Sequence, residues 1–146
     1  MAISEAVPAA AVGDLRGRGL HIALWVGQVL LAFVFCLAGV MHATMPDDQF
    51  AQTLAWTGTV PMGLVRYIGV VELAAAVGLL VPAVTRIKPV LTAWAAAGLA
   101  LLMLYASLLH VSRGEVRALG TTVILGALAA FVARGRFEKA PIAPRA

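Results

Sequence analysis

The sequence predicts an all-α protein: a four-transmembrane-helix bundle with a short interfacial helix between the first and second spans. Three observations predict it. The chain is 62% hydrophobic and 12% charged, whereas soluble domains average roughly 45–50% and 25%. Its apolar residues fall into four long runs, each of about the length a bilayer core demands. Its basic residues avoid those runs and gather at the ends and in the short connections, as orientation signals do. A chain of 146 residues makes one domain and has too little interior to bury so much apolar surface from water. The lipid bilayer is therefore its solvent. The net charge of +4 follows from those end clusters and forms no basic face, so no nucleic-acid partner is expected.

Residues 1–19 read as a short tail ending in Arg16 and Arg18. The apolar run that follows, 20–41, is about 22 residues, too long for the hydrophobic part of a cleaved secretory signal and long enough to span. The first span is placed at about 20–42. The long connection 43–64 contains Pro46-Asp47-Asp48, a helix-start pattern in which either aspartate caps the segment 49–56. Phe50, Leu54 and Trp56 give that segment an apolar side, and tryptophan favours the headgroup layer. The second span, about 62–82, is expected to stop at Pro82. Arg86 and Lys88 occupy the turn to the third span, about 89–110. The fourth apolar run, 118–133, is only about 16 residues and slightly short; with its flanks the span is placed at about 117–134. The membrane domain thus covers 20–137, and 138–146 forms a second tail.

Eight basic residues (Arg16, Arg18, Arg86, Lys88, Arg134, Arg136, Lys139 and Arg145) share one side of a four-span chain, against Arg66, Arg113 and Arg117 on the other. That bias places both termini in the cytoplasm. Small residues at four-residue spacing, such as Ala74 and Gly78 or Gly126 and Ala130, allow helices to approach closely. The pattern is read as bundle packing, with homo-oligomer formation as the alternative. Cys36 stands alone in an apolar run, without the CxxC that a membrane thiol oxidoreductase needs, and is expected in the core.

The informative polar residue is Glu72. It lies six residues past Arg66, roughly 9 Å into the second span. A carboxyl at that depth normally faces a bundle interior or a wet cavity, and its neighbours Gly69, Ala75 and Ala76 are small. Arg66 is on a different face, so the partner of Glu72 should come from another helix. The up-down topology gathers His42, Arg66, Glu72, Tyr105, Ser107, His110, Arg113 and Arg117 in the outer half of the bundle. The inner half offers only Gln28 and His21 at comparable depth. No catalytic set is visible, and no ligand spacing supports a metal.

The same residues carry a family resemblance. Arg66-Tyr67-Ile68-Gly69-Val70-Val71-Glu72-Leu73, followed by small residues, Gly78-Leu79-Leu80 and Pro82, resembles the second-span signature of the DoxX-like membrane proteins. The stretch His110-Val111-Ser112-Arg113-Gly114-Glu115 resembles that family's connection between the third and fourth spans, and Gly135-Arg136 its ending. The resemblance covers about 20–137. It implies a four-helix bundle in the bacterial inner membrane and a link to quinone-dependent redox complexes.

The leading expectation is therefore an accessory or quinone-interacting subunit of a membrane redox complex, not a stand-alone enzyme. Glu72, Tyr105 and His110, with His42 and Arg66 beside them, would exchange protons or hydrogen bonds with a quinone. No electron-carrier motif is visible, so electrons would come from a redox-enzyme partner subunit. Two alternatives stand beside it. One is a small proton-coupled transporter, although comparable four-helix exporters carry their glutamate in the first span. The other is a non-catalytic scaffold that docks a soluble enzyme on the basic segment 134–139.

Overall fold

The computed structural model describes residues 9–46, 48–49 and 60–145. Helix α1 spans Ala9–Thr44, α2 Met62–Thr85, α3 Val90–Ser112 and α4 Val116–Arg134, and α4 passes directly into a single π-helical turn, Gly135–Lys139. Among the described residues there is no strand. Four helical stretches, Gly17–Thr44, Met62–Thr85, Val90–Ser112 and Val116–Lys139, are long and apolar enough to cross a membrane. The expected interfacial helix, 49–56, lies outside the described residues except for Gln49.

The bundle is built as two hairpins. α1 packs most extensively on α2, and α3 on α4, while α2 meets α3 more sparingly. A core of Leu24, Leu31, Phe35, Leu79, Leu99 and Val132 runs along the axis. Large apolar residues such as Ile22, Phe33, Val70, Leu101 and Ile124 face outward. This is the distribution expected when lipid, not water, surrounds the bundle. Association of helices in such a solvent relies on close packing, and glycines supply it at each seam. A β-carbon on Gly27 would lie 3.0 Å from Val132 Cγ2, one on Gly78 3.0 Å from Ala95 Cβ, and one on Gly126 3.1 Å from Met103 Cβ.

Three expectations change. α2 runs through Pro82 to Thr85 and does not stop there. The proline forfeits only one helical hydrogen bond, which spanning helices tolerate when packed, and Pro82 is buried. The fourth span is not short, because the π turn carries the helix on to Lys139. Cys36 faces outward and not into the core, since Phe35 takes the inward position beside it.

Candidate functional site

The distal end of the bundle, where α1 leads towards α2 and α3 turns into α4, holds the carboxyl singled out in the sequence. Glu72 is buried on α2, and its Oε2 lies 2.6 Å from Nδ1 of His42, itself buried near the end of α1. Gly39 and Gly69 make this pairing possible. They lie three residues before His42 and Glu72 respectively, at the point where the two helices cross. A β-carbon on Gly69 would stand 2.7 Å from the Ala43 nitrogen and 2.9 Å from the Gly39 carbonyl oxygen. A β-carbon on Gly39 would stand 2.9 Å from the Gly69 carbonyl oxygen. Neither backbone can yield, so only glycine at both positions brings the helices near enough for a short histidine–glutamate bond.

Arg66 fixes the same histidine from behind. A helix leaves its last carbonyls without partners, and the Arg66 guanidinium donates to the carbonyls of His42 at 3.2 Å and Met45 at 2.6 Å. A cation at a helix C-terminus is also favoured by the helix dipole. His42 is thus held through its ring by Glu72 and through its backbone by Arg66.

The second hairpin brings another histidine to the same end. α3 stops at a Schellman turn: Gly114, at φ 70°, donates to Val111 at 3.1 Å, and Glu115 donates to the His110 carbonyl at 3.0 Å. The left-handed Gly114 satisfies the carbonyls at the helix end and turns the chain back. This return places Glu115 Oε2 2.6 Å from Nδ1 of His110, and Arg113 Nε donates to Glu115 Oε1 at 2.6 Å. Hydrogen bonds from Arg113, then from His110, hold the Glu115 carboxyl below the ordinary glutamate range. Deeper in the bundle, the Ser107 hydroxyl lies 2.8 Å from that of Thr122, tying α3 to α4.

Between the hairpins at this end lies a cavity of about 410 Å³. Its wall is mostly apolar, from Met41, Leu64, Ile68, Leu102, Ala106 and Leu109, and its polar groups are His42, Glu72, His110, Thr122 and Tyr105. Leu64 and Tyr105 are 48% and 64% exposed on the outer surface of the bundle, so the cavity reaches the flank between α2 and α3. The sequence-derived residues therefore divide. His42 and Glu72 form one bonded pair, Arg66 supports it from outside the cavity wall, and His110, bonded to Glu115, lines the same wall with Tyr105. Gly39-Val40-Met41-His42 and Gly69-Val70-Val71-Glu72 share one spacing of a small residue and a polar one, which aligns the two polar groups once the glycines cross but does not by itself name the partner.

A second polar cluster, at the opposite end, escaped that reading. Arg136, in the π turn, is only 4% exposed. Its Nε donates to Gln28 Oε1 at 2.5 Å, and its Nη1 donates to the Ala140 carbonyl at 3.1 Å and lies 3.2 Å from His21 Nδ1. Gln28 in turn donates to the Leu79 carbonyl at 3.0 Å, and the guanidinium sits 5.5 Å from the Trp25 ring centre. Gly135 makes room by abutting the buried Leu24 side chain. The segment 134–139, expected as a free basic docking strip, is helical, and its central arginine is turned inward. The π turn causes this: its wider winding rotates Arg136 towards α1, a shift that a regular 3.6-residue count does not anticipate.

No curated protein and no solved structure is significantly similar to the chain. The model of the DoxX-like family matches residues 26–132, a stretch that includes the glycine crossing, the His42–Glu72 pair and the Schellman turn below Glu115. The protein is a multi-pass membrane protein that belongs to the DoxX-like family.

Proposed function

We propose that the distal cavity holds the headgroup of a lipophilic, quinone-type ligand, and that the chain serves as a quinone-interacting accessory subunit of a membrane redox complex. One observation carries this reading: a buried carboxyl–imidazole pair forms part of the wall of a mostly apolar cavity inside a membrane bundle. Ligand sites of this kind combine apolar walls with a few placed polar groups, and typical volumes run from roughly 300 to 1,000 Å³. At about 410 Å³ the cavity suits a ring with a short substituent, leaving a long tail to lie along the flank beside Leu64 and Tyr105.

The chemistry of the lining fits such a ring. A quinone carries carbonyl oxygens at opposite edges, and the cavity offers polar groups from two hairpins: Glu72 and His42 from the first, His110 and Thr122 from the second. A glutamate hydrogen-bonded to a histidine can give up a proton while the imidazole N–H donates to the carboxylate left behind. His110, bonded to the partly exposed Glu115, connects the cavity wall to the surface. Electrons would be supplied by a partner subunit, because the residues named here move protons only.

The test is the quinone content of protein purified from native membranes in mild detergent. Wild type is expected to retain quinone near stoichiometry. Glu72→Gln, which keeps a hydrogen-bonding side chain of the same size, should lose most of it. Ala106→Trp should lose it too by filling the cavity, leaving the His42–Glu72 pair in place. Equal trace amounts in all three would reject the reading and leave the pair a packing element.

A further inference from the structure

We infer that the terminal end of the bundle carries a binding site for the phosphate of an anionic phospholipid, formed by Arg136 and Lys88 over a groove of about 300 Å³. The first reason is an unbalanced charge. Arg136 is 4% exposed, and its guanidinium meets the Gln28 amide, the His21 imidazole and the Ala140 carbonyl. Among the described residues no carboxylate pairs with it; Glu138, two positions away, is taken by Arg134 at 3.3 Å. A guanidinium at membrane depth is strongly disfavoured without a counter-charge.

The second reason is an idle donor. Nη2 of Arg136 is buried and has no hydrogen-bond acceptor, although buried donors are nearly always satisfied. The residue lines the groove together with Lys88, which stands in the α2–α3 turn at φ 47°. Two cations therefore border one cavity, and one of them keeps a donor, Nη2, without an acceptor. A tetrahedral phosphate oxygen supplies both the charge and the acceptor, in the geometry arginine favours.

The walls select a lipid over a free ion. Val90, Leu91, Phe137 and Ile142 contribute apolar surface to the same groove, and Val90, Leu91 and Phe137 are 53%, 46% and 40% exposed on the bundle flank. Phe137 packs edge-to-face on Trp94 at 5.3 Å, and tryptophan marks headgroup depth. The C-terminal segment closes the groove as a fixed wall: Arg145 N donates to the Arg86 carbonyl at 3.2 Å, and Pro141, Ile142 and Pro144 line the cavity. An acyl chain can run along Val90, Leu91 and Phe137 while its phosphate meets Lys88 and Arg136. Basic pockets at helix ends bind anionic lipid headgroups by this combination.

The experiment is native mass spectrometry of the full chain in detergent, titrated with phosphatidylglycerol or phosphatidylcholine of matched acyl chains. Phosphatidylglycerol adducts should exceed phosphatidylcholine adducts several-fold. Lys88→Gln, at an exposed turn position, should cut that preference about fivefold without lowering thermal stability. Leu91→Glu should cut it as well by opposing the acyl chain and the phosphate. Arg136→Gln should abolish it, but the proposal does not depend on that variant folding. Equal adducts of the two lipids, or an unchanged preference in Lys88→Gln and Leu91→Glu, would overturn the site. Millimolar inorganic phosphate that raises thermal stability as much as phosphatidylglycerol does would overturn the lipid assignment in favour of a simple anion site.

Discussion

The two ends of this bundle bury polar groups in opposite ways. At the distal end an acid faces a base: Glu72 and His42 share a 2.6 Å bond, and the cavity beside them is lined mostly by hydrocarbon. At the terminal end a guanidinium is surrounded by neutral acceptors and an aromatic ring, with one donor left over. The distal end is complete in polar terms and incomplete in volume. The terminal end has a groove of its own and is, among the described residues, incomplete in charge. A membrane interior penalises both: an empty volume forfeits packing contacts, and an unsatisfied polar group finds no hydrogen-bonding solvent there. Under the two proposals made above, each deficit is filled from outside the chain: by a ring-shaped ligand at one end and by an anion at the other.

Four substitutions or conditions probe this contrast, beginning with the largest effect. Gly69→Leu should abolish the distal arrangement altogether. Its side chain would meet the α1 backbone, which cannot move aside as a side-chain tip can, and the cost is expected to reach about 3 kcal/mol or more. Thermal unfolding in detergent would measure it; a stability within error of wild type would mean the glycine crossing does not position the pair.

Next in size is the pair itself. Glu72→Leu leaves His42 buried without its acid and should destabilise by about 3 kcal/mol. The double variant with His42→Leu should recover most of that loss, because both polar partners then leave together. A double variant whose loss equals the sum of the two singles would show that the pair is not coupled.

Arg136→Met should cost less, about 1–3 kcal/mol. It leaves only neutral acceptors behind, while relieving a cation without a carboxylate partner among the described residues. The same unfolding measurement applies. A loss larger than that of Glu72→Leu would mean that the terminal cluster, and not the distal pair, carries the polar stability of the bundle.

The smallest effect is a pH dependence at the α3–α4 connection. The Glu115 carboxyl is held low by Arg113 and His110, so its folded value lies below its unfolded one. A depressed acid stabilises fully above the ordinary glutamate value near 4.5 and loses that contribution as pH falls through the lower folded value. Melting temperature should therefore drop on acidification below that range, and Glu115→Gln should flatten the drop. A wild-type profile identical to that of the variant would exclude the contribution.

Much of this protein was legible before folding. Four apolar runs, three of them long enough to span and the fourth slightly short until its flanks are added, dictate four helices because the bilayer core leaves the backbone no other way to satisfy itself. The depth of Glu72 and the polar bias towards one end followed from helical rise and up-down topology. The pairing partner did not follow, since depth alone gave several equal candidates. His42 was selected by the Gly39–Gly69 crossing, a contact between residues thirty positions apart that local periodicity does not encode.

The terminal end was read less well, for a related reason. Counting at 3.6 residues per turn treats 134–139 as the frayed, solvated end of a short helix. The π turn at Gly135–Lys139 rotates Arg136 inward against Gln28 and Trp25. The sequence by itself determined the membrane architecture, because hydropathy and length are summed along the chain. Tertiary structure alone decided which polar groups meet, where the hairpins part to leave a cavity, and which cation is left without an anion. Those outcomes depend on sub-ångström clearances between helices distant in sequence, set by single glycines and by one irregular turn.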